Sequence, residues 1–196
     1  MWKAFGWFRR KPKSEPPTTY ARLAAVLIDI PNVVNAWRDP KHAFRLARAW
    51  GAALRKRIAR DTEGRHVILH HAFSSMDVQS SKQEGFIRNE ERAWRMAGYN
   101  FLNNPNNDID TILAIRMMNA VMRAMESHDR VHLRLILVSG DNIFAKVLQS
   151  LRDVYEERLV LEPVIYAWQN SMGTRLRLEA QPEHIRYLEE IEGMTE

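Results

Sequence analysis

Between Leu23 and Trp168, short β-prone apolar runs alternate with helical patterns, and this alternation limits the possible folds more than any other feature of the chain. "LAAVLIDI" reads as a buried strand, "PKHAFRLARAWGAALRKRIAR" as a helix, "HVILHHAF" as a strand and "QEGFIRNEERAWRMAG" as a helix that Gly98 ends. A short strand "YNFLNN" and a helix from Asp110 to Met125 follow. "LRLILV", "NIFAKVLQSLRDVY" and "RLVLEPVIYAW" then give strand, helix and strand. Parallel strands need crossovers, and each crossover helix needs a surface on which to bury its apolar stripe. The pattern therefore predicts an α/β fold, a three-layer α/β/α (Rossmannoid) domain with a mostly parallel central sheet. No internal repeat interrupts it.

In such a sheet the site lies beyond the carboxyl ends of the strands, near the point where strand order reverses. Three separated segments place carboxylates there. The first strand ends in Asp29, with Asn32 close behind. The loop before the third long helix supplies Asp108 and Asp110, and "LRLILV" runs into Ser139, Gly140, Asp141 and Asn142. A lone Asp after a strand is usually a turn or cap residue, but three at one edge ask for another explanation. Carboxylates gathered without basic partners raise one another's pKa, and a hard cation relieves that strain. Mg²⁺ or Mn²⁺ suits an all-oxygen set that leaves positions open for water and phosphate.

The segments "VLIDIPNVVNAW", "AGYNFLNNPNNDIDTILAIRMMNAV" and "LRLILVSGDNIFAKVLQSLRD" resemble the three signature blocks of NYN domains, members of the PIN-like nuclease superfamily. The resemblance spans about Leu23 to Trp168, and the ending "GTRLRLEAQPEHIRYLEE" is similar to the helical close of those domains. It implies metal-dependent cleavage of RNA phosphodiester bonds. Asp29, Asp110 and Asp141 would be catalytic and, with Asp108, would hold Mg²⁺ or Mn²⁺; Asn32, Ser139 and Asn142 would meet the substrate. Two departures thin the set: Ile143 and Arg116 stand where the family usually has acids. They motivate an alternative, a catalytically depleted NYN-like module that binds RNA or protein. The "DIDT" segment also resembles the acid pair of haloacid-dehalogenase-type phosphatases, but "FLNNPNN" is a poor version of the apolar strand that pair requires.

Charge distribution bears on the partner. Residues 1–19 carry Lys3, Arg9, Arg10, Lys11 and Lys13 against Glu15, which leaves +4 of the chain's +5 in a tail that Pro12, Pro16 and Pro17 separate from the domain at 20–196. Its Trp2, Phe5, Trp7 and Phe8 interleave with cations, a pattern suited to a membrane surface, RNA or a protein partner. Arg88, Arg92 and Arg95 share a helix face and are candidates to meet phosphates of a single-stranded RNA. Met118, Met122 and Met125 fall on one helical face and read as core. The absence of cysteine removes disulfides and thiolate metal sites, and with no long apolar run the expectation is a cytoplasmic protein.

Overall fold

The computed structural model describes residues 20–35, 40–75, 81–105 and 108–195, with backbone alone at 35, 40–48 and 81–83. The proposed tail, 1–19, lies outside the described residues. Six strands form one all-parallel sheet: β1 (Ala21–Asp29), β2 (His66–Ser74), β3 (Asn100–Asn103), β4 (Val131–Val138), β5 (Leu159–Ala167) and β6 (Ile185–Tyr187). Their order is β3-β2-β1-β4-β5-β6. The chain moves outward from β1 to β3, returns to the other side of β1, and moves outward again. Strand order therefore reverses between β1 and β4, which pair from Ala21 opposite Val131 to Ile28 opposite Val138.

β1 is buried on both faces from Leu23 onward, as a central strand must be. Leu23, Ala25 and Leu27 face one core, against α4 (Ile109–Ser127) and α5 (Ile143–Tyr155). Val26 and Ile28 face the other, against α1 (Ile30–Asn35), α2 (Pro40–Asp61) and α3 (Ser81–Met96). Alternate side chains of one strand thus fill two separate cores, which makes the three layers.

Two features depart from the sequence reading. The C-terminal segment is not a helical close: a single turn, α6 (Thr174–Arg177), precedes β6, which pairs Ile165–Ala167 of β5. β6 is only three residues long, too short for its alternation to be read. Pro163 sits within β5 without cost on its outer side, because β6 begins pairing only at Ile165. Met118 and Met122 are half exposed, at 50% and 45%, and only Met125 of the three joins the core.

Candidate metal and phosphate site

The site grows out of the reversal point. β1 ends at Asp29 and turns directly into α1, while β4 ends beside it and turns through Ser139, Gly140 and Asp141 into α5. Asp29 is only 3% exposed. Its Oδ1 accepts from the Asn32 backbone N–H at 3.1 Å, and its Oδ2 from the Ser139 hydroxyl at 3.0 Å. Burial pushes the Asp29 carboxyl up to about 6; those two donors oppose the shift, and the nearby charges of Asp110 and Asp141 add to it. Asp110 is likewise raised, by partial burial first and then by Asp141 and Asp108.

The turn after β4 is fastened from several directions. Asn32 Oδ1 accepts from Gly140 N–H at 2.9 Å, which clamps the ends of β1 and β4 together. Asp141 N–H donates to the Ser139 hydroxyl at 3.3 Å, and Asp141 Oδ1 accepts from Ile143 N–H at 2.9 Å at the start of α5. A Cβ on Gly140 would lie 2.3 Å from the Ser171 carbonyl oxygen, so the close approach of the segment after β5 demands glycine. Across the cleft, Asp108 caps α4 by accepting from Asp110 N–H at 3.0 Å and the Thr111 hydroxyl at 2.9 Å.

Asp29, Pro31, Asn32, Asp108, Ile109, Asp110 and Asp141 line one cleft of about 440 Å³, with no cation among them. The donors fit a hard cation in kind, being all oxygen, and their mutual repulsion is what such an ion would relieve. They are sparse in number: among the described residues, no three His, Asp or Glu side chains are grouped so as to hold a metal ion. One or two carboxylates, with water completing the shell, is the arrangement that Mg²⁺ accepts.

The other candidate residues fall elsewhere. Ser139 is fully buried with its hydroxyl given to Asp29, so it positions that carboxylate rather than meeting a substrate. Asn142 is turned away from the cleft: its Oδ1 caps α6, accepting from Arg175 N–H at 2.9 Å and Leu176 N–H at 3.3 Å. Arg88, Arg92 and Arg95 are exposed on α3, on the opposite face of the sheet from α4, and do not line the cleft. Arg88 and Arg95 are paired along the helix with Glu84 and Glu91.

One polar pair went unread. Glu90 is 6% exposed and accepts from the buried Ser74 hydroxyl at 2.9 Å, at the tip of β2. Burial pushes its carboxyl up to about 7, the Ser74 bond opposing. The signal was present, since Glu90 lies three residues after Ile87 and four before Trp94, both buried.

No protein-family model and no curated protein matches the chain. Its structure is similar to the crystal structure of a protein of unknown function from Vibrio parahaemolyticus, with a TM-score of 0.56 and 17% identity, covering 87% of this chain and 94% of that one. A likeness at this identity is one of fold: the chain is a three-layer α/β/α protein with a parallel sheet.

Proposed function

We propose that the cleft is the active site of a divalent-metal-dependent ribonuclease of the NYN type, taking Mg²⁺ or Mn²⁺ and single-stranded RNA. The observation that carries the reading is the gathering of Asp29, Asp110 and Asp141, from three different elements, around one cleft at the reversal of strand order. Asp110 and Asp141 are the more accessible acids and would hold the ion. When bound, it would neutralise phosphate charge and favour deprotonation of an attacking water. Asp29 lies at the floor, where a carboxyl with a pKa of about 6 can hold or release a proton near neutrality. Asn32 fixes the β1 and β4 tips through its carbonyl oxygen. The test is cleavage of a single-stranded RNA oligonucleotide in Mn²⁺. Wild type should cut, and Asp110→Asn should lose at least roughly 100-fold, the scale of removing one charge-stabilising group.

A noncatalytic RNA- or protein-binding module is the second reading, favoured by the capping roles of Asp108 and Asp141 and by the sparse acid set. RNA retained without cleavage by wild type would select it.

A further inference from the structure

α4 and α5 pack side by side over one face of the sheet. On α4, Arg116 and Arg123 lie on the flank toward β2, where both bear on His71. Ile115, Met118 and Met122 occupy the outer surface on the other side, at 50%, 50% and 45% exposure. On α5, Gln149 and Arg152 turn toward the segment after α6, where both bond Glu179. Ile143, Val147 and Val154 recur on the opposite flank, toward α4, with Ile143 and Val154 at 48% and 70% exposure. The helical spacings therefore bring two apolar rows to the two sides of one groove. Exposed apolar side chains gathered on one surface in this way are the kind of feature that marks a binding surface.

The ends of the groove differ. The upper end is Ile143, two residues beyond Asp141 of the cleft. The lower end, where α4 and α5 finish, carries the exposed acids Glu126, Asp129, Asp153, Glu156 and Glu157. The nearby cations Arg158 and Arg130 are engaged, the first on the carbonyls of Met125, His128 and Asp129, the second over the Tyr20 ring; Arg123 is exposed.

The described chain begins at this lower end. Ala21 N–H donates to the Arg130 carbonyl at 3.0 Å, just beyond the last turn of α4. Preceding Tyr20 are a proline-bearing linker, then Arg9, Arg10, Lys11 and Lys13, then Trp2, Phe5, Trp7 and Phe8. Read backward from the entry point, the order of the sequence matches the groove, with cations first for the acidic end and aromatics next for the Ile, Met and Val rows. The twelve residue-to-residue steps from Phe8 to Tyr20 can span up to roughly 40 Å. α4 from Met122 to Ile115 needs only about 10 Å of rise.

We propose that residues 2–13 of the same chain dock in the groove between α4 and α5. The inference is independent of any chemistry in the cleft. Charge favours this occupant over a second copy of the domain, whose groove would bring the same acids, and over an anionic lipid surface, which those acids would repel.

The chain has no native cysteine, so Ala4→Cys in the full-length protein gives a single attachment point for a nitroxide. The methyl signals of Met118, Met122 and Ile143 should lose more than half their intensity, while Leu178, exposed beside α6, keeps its own. Glu126→Lys with Asp153→Lys, and separately Met118→Asp, all at exposed positions, should each restore most of the lost intensity. A mixture of isotope-labelled chain without nitroxide and nitroxide chain without isotope should show no loss. Broadening in that mixture would assign the groove to a second copy. Broadening that appears only when anionic vesicles are added would assign it to lipid. Either result, unperturbed methyl signals in the labelled chain, or loss that either variant leaves unchanged, would overturn the proposal.

Discussion

Glu90 and Asp29 are both carboxyls that the fold holds with their protons favoured, for the same primary reason, removal from water. Glu90 has an ordinary value of 4.5 and stands at about 7 in the folded chain, so the native state binds its proton more tightly than the unfolded one. Its stabilising contribution is complete below about pH 4.5. It declines as pH rises and is gone above about 7, a change on the order of 3 kcal/mol. Glu90→Gln should remove this pH dependence and leave the protein more stable than wild type above pH 7, as measured by denaturant midpoints from pH 4 to 9. An unchanged slope would show that Glu90 is already ionised and solvated. Asp29 follows the same sign over a window from 3.8 to about 6, but its cause includes neighbouring acids, so a bound cation would shift it downward.

At the level of elements, the segment from β4 into α5 joins fold and site. Gly140 is pressed against the Ser171 carbonyl, and its own carbonyl accepts from Gly173 N–H at 2.8 Å. Gly140→Ala should therefore cost roughly 1–3 kcal/mol through forced displacement of backbone, readable as a lowered denaturant midpoint. Stability equal to wild type would mean the segment after β5 yields freely. The alternation of apolar strands and amphipathic helices was enough to find β1 to β5 and the four long helices, because each of those elements except β3 is long enough to show a period, and β3 lies between clear neighbours. α1 was missed because Pro31, two residues after Asp29, reads as a turn, although proline is at home in a first helical turn. The Asn142 carboxamide was misjudged because its partner, the α6 terminus, lies more than thirty residues away in sequence. Met118 and Met122 were misjudged because period alone does not say whether a second apolar row meets the core or solvent.

At the scale of the whole molecule, the described residues gather acids both in the cleft at the carboxyl edge and at the lower ends of α4 and α5. Among the described residues, those lining the cleft at the carboxyl edge include acids and no Lys or Arg. On the α2 side, Glu162 is held between Arg65, at 2.6 Å, and Arg134, and Asp61 takes Arg57 and Arg186, so much of the basic excess there is already paired. An ion shared by Asp29 and Asp141 requires β1 and β4 to be neighbours, and the order β3-β2-β1-β4-β5-β6 provides this. Whether the acids act together on an ion is a property of the assembled cleft, and calorimetric titration of Mn²⁺ tests it most directly. Wild type, Asp110→Asn and Asp141→Asn are the proteins to compare, since asparagine preserves the Asp141 cap on Ile143 while removing its charge. Wild type should bind measurably, and each variant should bind at least about 10-fold more weakly. Absence of binding by wild type, or equal binding by all three, would contradict it.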